Sequence, residues 1–256
     1  MRASKGWAER YARQLILPEV GGGGQEKISK ARVLLVGAGG LGSPAALYLT
    51  AAGVGTLVLV DNDAVDLSNL HRQILHFSPD VGRPKVRSAK DKLSALNPGV
   101  RVLAKKNRFT SANAAGLLAG CDLALDGSDN FETRYALNAA CAARGVPLVW
   151  GAVLRWEGQV MTVAPGKSAC YECLFPEPPS PDLARSCSEA GILGSVAGTV
   201  GALMATEGLK VLLARGETLA GRLWGLDLLR MRVREKSAVQ RPDCPACGKT
   251  TLTRKA

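Results

Sequence analysis

Short apolar runs alternate with amphipathic stretches over the first 150 residues of the chain. Residues 33–36 and 57–60 are uninterrupted apolar runs, as expected for strands that are buried on both faces. Further strands are predicted at residues 100–103, 123–125 and 147–150, and helices at 44–52, 84–96, 111–119 and 131–144. Because strand and helix alternate, we expect a Rossmann-like, mostly parallel sheet wound by right-handed crossovers.

The two ends of the chain show different patterns. Residues 10–30 begin with an amphipathic, helical pattern and continue into a predicted four-glycine loop, Gly21 to Gly24. Residues 153–163 alternate apolar and polar side chains, which predicts antiparallel strands, and residues 222–233 predict the final strands. We therefore expect one domain over residues 1–256, with two halves of different pattern, residues 30–150 and residues 151–256.

A glycine-rich turn separates the first predicted strand from the next helix. Gly37, Gly39 and Gly42 form a G-x-G-x-x-G pattern that also contains Gly40. Such a turn lets backbone N–H groups approach a phosphate at the positive end of a helix. Asp61 ends the next strand, where a carboxylate can bind ribose hydroxyls. By itself this pattern indicates a dinucleotide site with NAD as the default ligand.

The residues that follow Asp61 fit a triphosphate better than NAD. The polar side chains concentrated there are Asp63, Asn69, Arg72, Gln73 and Lys85. Two added cations suit the larger charge of a triphosphate and of a pyrophosphate leaving group. Asp129, on the turn after a strand, is placed to hold Mg²⁺ beside them. An exposed salt bridge is the alternative for any one of these residues, but it does not account for the whole group.

Two C-x-x-C pairs supply four thiolates, enough for a tetrahedral structural zinc site. The pairs are Cys170 with Cys173 and Cys244 with Cys247. Their wide separation predicts that the site ties the later part of the chain back onto the body of the protein. A thioredoxin-like redox role is the alternative for either pair, but it leaves the other pair without a purpose.

Three cysteines lie outside these pairs. Cys121 and Cys141 stand in apolar surroundings and are interpreted as core residues. Cys187 follows Arg185, whose charge could lower the thiol pKa and make the residue a nucleophile. An inert loop cysteine is an equal alternative for Cys187.

Charge and hydropathy limit the classes of partner. The net charge is +11, with nine basic residues and one acidic residue between positions 83 and 108. Such a patch suits an acidic partner, a polyphosphate or nucleic acid, although solvated helix faces are often basic as well. Aromatic residues are only 5% of the chain and do not interleave with the basic run, so nucleic acid is not favoured.

Neither a membrane anchor nor an export signal is predicted. Residues 190–205 carry no charge, but this stretch is shorter than the ~20 residues needed to span a bilayer. A buried core helix is the expectation there. The first residues lack the pattern of a secretory signal, so we expect a cytoplasmic, reducing compartment.

Taken together, these motifs resemble the E1-like adenylyltransferases of the MoeB/ThiF group, which are relatives of ubiquitin-activating enzymes. The resemblance runs from about Arg10 to Cys247 and includes three further segments, at residues 66–73, 83–85 and 126–130. It implies ATP-dependent adenylation of the C-terminal glycine of a ubiquitin-like sulfur-carrier protein ending in Gly-Gly, with release of pyrophosphate. It also implies a homodimer with two active sites, in which residues 30–150 are the nucleotide-binding half of each chain and residues 151–256 the half that binds the carrier and the zinc.

The resemblance also implies roles for individual residues. Gly40 and its neighbours would contact the nucleotide, and Asp61 the ribose. Arg72 and Lys85 would hold the phosphates, and Asp129 would position Mg²⁺. Arg13 resembles the arginine of the family that reaches into the site of the partner subunit.

The pathway is a finer question. Residues 151–159 and 81–85 look more like the molybdopterin-synthase branch than the thiamine branch. The alternative is the thiamine carrier, with Cys187 as the acceptor thiol, and a more remote alternative is an NAD-dependent oxidoreductase. His71 and Ser128 depart from the residues usual in the family. The rhodanese-like extension of longer relatives is not found after Cys247, so we expect a separate sulfur donor such as a cysteine desulfurase or rhodanese.

Overall fold

A mixed eight-stranded sheet forms the centre of the computed structural model, which describes residues 5–180 and 190–248. The strands are β1 (Arg32–Val36), β2 (Thr56–Val60), β3 (Arg101–Lys105), β4 (Leu123–Asp126), β5 (Leu148–Leu154), β6 (Glu157–Val163), β7 (Arg222–Asp227) and β8 (Arg232–Ser237). The helices are α1 (Lys5–Arg10), α2 (Ala12–Leu15), α3 (Gly21–Lys30), α4 (Gly42–Ala52), α5 (Lys85–Leu96), α6 (Ser111–Leu117), α7 (Phe131–Arg144), α8 (Tyr171–Leu174) and α9 (Gly194–Leu213). Two 3₁₀ turns, Leu67–Asn69 and Ser78–Asp80, lie between β2 and α5.

The strands lie in the order β3-β2-β1-β4-β5-β6-β7-β8, and the first five pair in parallel. Chain order runs outward from β1 towards β3 on one side and towards β5 on the other. The sheet therefore has a topological switch point between β1 and β4, where ligands of α/β proteins bind at the carboxyl ends of the strands. The predicted fold class, a Rossmann-like parallel sheet that continues into antiparallel strands, is confirmed.

The antiparallel half continues the same sheet without a break. A tight hairpin joins β5 to β6, with Leu154 opposite Glu157, and β7 and β8 then follow in antiparallel register. All six residues of β8 are exposed, as expected for an edge strand.

Alternate residues of the parallel strands supply two apolar cores, one on each face of the sheet. Leu35 and Leu59 pack beneath α4, α5 and α9, whereas Leu34 and Val58 pack with residues of α6 and α7. Helix α7 begins at an N-cap, Asn130, whose side-chain oxygen accepts the Thr133 N–H at 2.9 Å.

Helix α9 is the one described helix that is long and apolar enough to cross a membrane by length and composition. Half of its most apolar window is buried, and it packs against α4, β5 and β6. Val196, Val200 and Met204 are among its fully buried side chains. These contacts are those of the core helix that the sequence predicted.

The expectation of a four-glycine loop is wrong. Residues 21–24 form the first turn of α3, because the chain from Val20 onward closes helical hydrogen bonds, including Gly24 N–H to the Val20 carbonyl at 2.8 Å. A Cβ at Gly24 would lie 2.8 Å from Leu213, so the small residue lets α3 approach the end of α9. Packing against another helix has overridden the low helix propensity of glycine.

Candidate active site

A cleft of about 1070 Å³ opens at the carboxyl edge of the parallel strands. It borders the glycine turn after β1, the residues after β2, the turn after β4, and the faces of β5, β6 and β7. Its position is the topological switch point of the sheet. The structure therefore brings most of the sequence-predicted site residues to one cavity: Gly37, Gly39, Gly40, Asp61, Asp63, Arg72, Gln73, Lys85 and Asp129.

The glycine turn is held by backbone contacts that leave no room for side chains. Gly37 has φ +91°, and a Cβ there would lie 2.6 Å from the Gly127 carbonyl oxygen. A Cβ on Gly42 would lie 1.9 Å from the Gly37 oxygen. Gly42 does not border the cleft, so its place is behind the turn, where α4 meets β1. Gly39 and Gly40 border the cleft itself.

Asp61 organises the glycine turn at the end of β2. Its carboxylate accepts hydrogen bonds from the N–H groups of Ala38 and Asp63, each at 2.8 Å. Burial raises the pKa of Asp61, against the opposing effects of the Lys85 charge and the two N–H donors. The residue is thus fixed beside the turn, within reach of a ligand placed over Gly39.

Lys85 is a buried cation at the start of α5. Its ammonium lies 2.9 Å from Asp63, whose side chain is 57% exposed whereas that of Lys85 is 7% exposed. Asp63, which water also reaches, thus holds the Lys85 ammonium at the wall of the cleft.

Arg72 and Gln73 also border the cleft. The Arg72 guanidinium donates to the Asn69 side-chain oxygen at 2.6 Å, and Asn69 does not itself border the cleft. Asn69 therefore orients Arg72. Gln73 is 5% exposed, and its amide oxygen has no hydrogen-bond partner in the described structure. A buried acceptor left unpaired at a cleft wall is a feature of sites that bind a donor group.

Asp129 stands at the mouth of the cleft on the turn after β4. Its carboxylate is exposed and makes no hydrogen bond or ion pair with the described residues. Carboxylate oxygens of this kind, close to a phosphate site, are ligands that Mg²⁺ takes.

Sequence reasoning missed the residues that support this cleft from behind. His76 is 3% exposed; its Nε2 lies 2.9 Å from the Ala38 carbonyl oxygen and its Nδ1 2.9 Å from the Ser88 hydroxyl. Burial lowers the pKa of His76, although the Ala38 carbonyl opposes that effect, so the neutral ring holds the glycine turn. The second missed group is Arg134 with Asp126, a buried ion pair. Asp126 begins the segment 126–130 noted in the sequence, but that pattern does not indicate its pairing with Arg134, and His76 belongs to no motif.

Two other predicted site residues have different outcomes. Arg13 lies on α2, is exposed and does not border the cleft. Its role at a partner subunit's site stays a prediction. Cys187 lies outside the described residues.

The four paired cysteines converge on one point, with their sulfur atoms all within 4.8 Å of one another. Cys170 to Cys244 is 3.6 Å, Cys173 to Cys247 is 3.4 Å and Cys170 to Cys173 is 3.9 Å. Four thiolates at ~2.3 Å from a tetrahedral zinc ion lie about 3.8 Å apart. The cluster could therefore bind zinc with four sulfur ligands and no open position.

Two N–H groups donate to sulfur atoms of the cluster. The Arg241 N–H donates to Cys173 Sγ at 3.4 Å, and the Asn138 amide donates to Cys170 Sγ at 3.5 Å. Burial by itself would raise the pKa of Cys173, but the backbone donors from Arg241 and Cys170 lower it overall. Burial raises the pKa of Cys170, and it raises the pKa of Cys247 to about 11. Cys121 and Cys141 are buried and unpaired, so their interpretation as core residues is confirmed.

Comparison with known families decides between the nucleotide-binding classes that this geometry allows. The ThiF family model matches residues 11–246. The chain belongs to the ThiF family. The predicted resemblance and the predicted enzyme class, an E1-like adenylyltransferase, are confirmed, and an NAD-dependent oxidoreductase is not the class of this ThiF-family chain.

The relatives of this ThiF-family chain include proteins described as adenylyltransferases and one described as an E1 activating enzyme. A sulfur carrier protein adenylyltransferase of Thermus thermophilus is 49% identical over 253 residues, covering 97% of this chain and 93% of that protein. A SAMP-activating enzyme E1 of Haloferax volcanii is 48% identical, covering 94% and 88%. A probable adenylyltransferase/sulfurtransferase MoeZ of Mycobacterium tuberculosis is 47% identical, and the match covers 92% of this chain but 61% of MoeZ.

Solved structures agree with the fold of this ThiF-family chain. A crystal structure of E. coli MccB with MccA-N7isoASN has a TM-score of 0.83 at 22% identity, covering 94% of this chain and 75% of that chain. A structure of MccB with ATP has a TM-score of 0.80 at 23% identity, covering 93% and 74%. At these identities the likeness is one of fold.

Proposed function

We propose that the chain uses ATP to adenylate the C-terminal glycine of a ubiquitin-like sulfur-carrier protein and releases pyrophosphate. The observation that carries this proposal is the convergence of the glycine turn, two held cations and the unpaired Asp129 carboxylate in one cleft. The names of the relatives support the choice of a sulfur carrier as acceptor, since one is described as a sulfur carrier protein adenylyltransferase.

In this reaction a carboxylate oxygen of the carrier forms a bond to the α-phosphorus of ATP. The bond from that phosphorus to the bridging oxygen of the β-phosphate breaks, and pyrophosphate leaves with the electron pair. The attacking carboxylate is already ionised at neutral pH, so the step needs no general base. Positioning and neutralisation of charge can supply most of the rate.

The residues of the cleft divide this work. The N–H groups of the glycine turn bind the phosphates at the start of α4, and Asp61 accepts from the ribose hydroxyls. Arg72 and Lys85 neutralise the charge that grows on the leaving pyrophosphate. Asp129 would hold Mg²⁺, which would help to neutralise the charge of the phosphates.

We propose further that the carrier is the small subunit of molybdopterin synthase, on the pattern of residues 151–159 and 81–85. The thiamine-pathway carrier, with Cys187 as acceptor thiol, is the alternative outcome of the test below. Sulfur then comes from a separate donor, a cysteine desulfurase or a rhodanese. A cytoplasmic location stays a prediction.

The direct test is exchange of isotope-labelled pyrophosphate into ATP in the presence of each carrier. Exchange is expected with the molybdopterin-type carrier and is expected to disappear when its last glycine is deleted. Lys85→Met should abolish exchange, whereas Arg144→Gln, on an exposed site of α7, should leave it unchanged. Exchange only with the thiamine-type carrier would redirect the pathway. Exchange with neither carrier, under conditions where the protein is folded, would refute the proposal.

We also propose a homodimer in which Arg13 completes the site of the partner subunit. Two variants with severely reduced but measurable exchange, Arg13→Ala and Asp129→Asn, should then complement each other when they are mixed and allowed to exchange subunits. Half of the dimers would be hybrids with one intact site each, so about a quarter of wild-type activity should return. A mixture that stays as inactive as its components would show that Arg13 does not act across the interface.

A further inference from the structure

Arg134 is a buried guanidinium at the wall of the cleft. It lies in the first turns of α7 and is 7% exposed. Its Nε donates to Asp126 Oδ2 at 3.1 Å, and its Nη2 donates to the Ser128 carbonyl at 3.2 Å and the Gly151 carbonyl at 2.8 Å. One side chain thus joins the end of β4, the turn that follows it, and β5.

Asp126 holds the same turn from the other side. This residue is fully buried, and its Oδ1 accepts the Ser128 N–H at 2.9 Å and the Ser128 hydroxyl at 2.5 Å. Asp129 follows Ser128 in the chain, and its exposed carboxylate has no partner of its own among the described residues. Where the Asp129 carboxylate enters the cleft therefore depends on the backbone of this turn.

Two aromatic rings hold Arg134 in place. Its guanidinium carbon lies 5.6 Å from the ring centre of Trp150 and 5.5 Å from that of Tyr171. The two rings are perpendicular, with centres 5.1 Å apart. Burial alone would lower the pKa of Arg134, but Asp126 and Tyr171 raise it overall, so the group stays charged.

Tyr171 lies in the turn that carries the first cysteine pair, between Cys170 and Cys173 in the chain. Its N–H donates to the Asn138 side-chain oxygen at 3.0 Å, and the Asn138 amide donates to Cys170 Sγ. The position of Tyr171 is therefore set by the backbone of the knuckle that the cysteine cluster orders.

We propose that Arg134 is a positioning residue, which fixes the turn that carries Asp129 and is itself held by the Tyr171 ring. The inference rests on the proposed function, since it assigns Asp129 to the reacting phosphates. A misplacement of about 1 Å in a catalytic site can cost about 10²-fold in rate. The printed hydrogen bonds of Arg134 go to Asp126, Ser128 and Gly151 and none to the glycine turn, Arg72 or Lys85. Its loss should therefore reach the nucleotide only through the turn that it fixes, and should lower kcat more than ATP affinity.

The first test separates the positive charge of Arg134 from the planar shape of its guanidinium group. Arg134→Lys keeps the charge beside Asp126 but lacks the planar fork that reaches two carbonyls. We expect kcat for carrier-dependent pyrophosphate exchange to fall at least about tenfold, the KM for ATP to change less than about twofold, and the Mg²⁺ concentration for half-maximal rate to rise. Arg144→Gln, on the same helix, is the matched control and should change none of these. A rise in KM for ATP with unchanged kcat would overturn the proposal.

A second variant guards against misfolding. Arg134→Gln alone would leave the Asp126 carboxylate buried and uncompensated, which is strongly destabilising. The double variant Asp126→Asn with Arg134→Gln removes both charges together and should fold. We expect it to lose kcat at least as severely as Arg134→Lys. Wild-type kcat and Mg²⁺ dependence in this double variant would overturn the proposal.

A thermodynamic cycle separates positioning from general stability. If Arg134 acts through Asp129, Arg134→Lys should cost kcat in the wild-type background and cost almost nothing more in Asp129→Asn. Two penalties that simply multiply would show that Arg134 acts elsewhere. Tyr171→Leu should reproduce the kcat loss of Arg134→Lys, whereas Tyr171→Phe, which keeps the ring, should retain most of the activity.

Calorimetry of ATP binding distinguishes failure of this inference from failure of the proposed function. Binding of ATP by the wild-type chain without exchange on any carrier would overturn the proposed function alone. The same cycle, run on the gain in ATP affinity that Mg²⁺ produces, would then decide the role of Arg134. Coupling between Arg134 and Asp129 in that gain supports the inference, and independence overturns it.

Discussion

Gly37 and Gly39 belong to one turn, but the structure predicts opposite consequences for replacing them with alanine. At Gly37 the backbone has φ +91°, and a Cβ would lie 2.6 Å from the carbonyl oxygen of Gly127. A left-handed conformation costs an alanine about 1–2 kcal/mol, and overpacking against a rigid neighbour costs about 1–3 kcal/mol. Gly37→Ala should therefore lower the free energy of unfolding by about 2–5 kcal/mol. At Gly39 a Cβ would meet only Gln73 Nε2, at 3.6 Å, which is ordinary contact.

Gly39→Ala should consequently change the free energy of unfolding by less than about 1 kcal/mol, since alanine also restricts the unfolded chain. Urea denaturation followed by tryptophan fluorescence would measure both values, and calorimetry would measure ATP affinity in each folded variant. Because Gly39 borders the cleft, its alanine variant should lose ATP affinity while it keeps its stability. Equal stability of the two alanine variants would refute the argument that the turn is held by the contact between Gly37 and Gly127.

Three further predictions concern the support of the fold. Removal of metal by a chelator, or Cys244→Ser, should lower the melting temperature, and elemental analysis should find one zinc per chain in the untreated protein; unchanged melting after verified metal removal would exclude a structural role. Burial lowers the pKa of His76, so the folded protein holds the ring neutral while the unfolded chain takes up a proton near pH ~6.5. The contribution of His76 to the free energy of unfolding is therefore fully present above that pH and falls as the pH drops below it. His76→Gln should flatten that slope in denaturation midpoints measured between pH 7 and 5, and an unaltered slope would assign it to other groups. Glu207 is 4% exposed, accepts hydrogen bonds from the Leu219 N–H and the Thr162 hydroxyl, each at 2.6 Å, and pairs with Lys210. Glu207→Gln should lower the free energy of unfolding by about 3 kcal/mol in urea denaturation. A loss below about 1 kcal/mol would contradict a buried ionic role.

The regular elements of the first 150 residues were predictable because their signals are local. Buried parallel strands are continuous apolar runs, and the predicted helix at residues 131–144 matches α7 at both ends. The four glycines at residues 21–24 were misread because propensity alone predicts a loop there. The contact of Gly24 with Leu213, nearly 190 residues later, is invisible to any local pattern.

The site shows the same division. The residues predicted to bind the nucleotide come from turns that follow strands, so topology alone brings Asp61 and Asp129 to one edge of the sheet. The ion pair of Asp126 with Arg134 was missed, although the two residues are close in the chain. The place of this ion pair in the fold depends on Tyr171 and Trp150. These residues come from other segments and contact Arg134 only when the sheet and the cysteine cluster are assembled. Asn69 was predicted as a ligand-binding residue, and the structure places it behind Arg72.

The cysteine cluster has a further consequence for the segment that it encloses. A metal that joins Cys173 to Cys244 closes a loop of about 70 residues. By the chain-entropy model, the lower conformational entropy of the unfolded chain would then add about 4 kcal/mol to the free energy of unfolding. Helix α9 and the edge strand β8 both lie inside that loop, anchored at each end. Fraying of the sheet edge would then need the loop to open as a unit, so the amide protons of β8 should exchange with solvent more slowly when the cluster holds its metal.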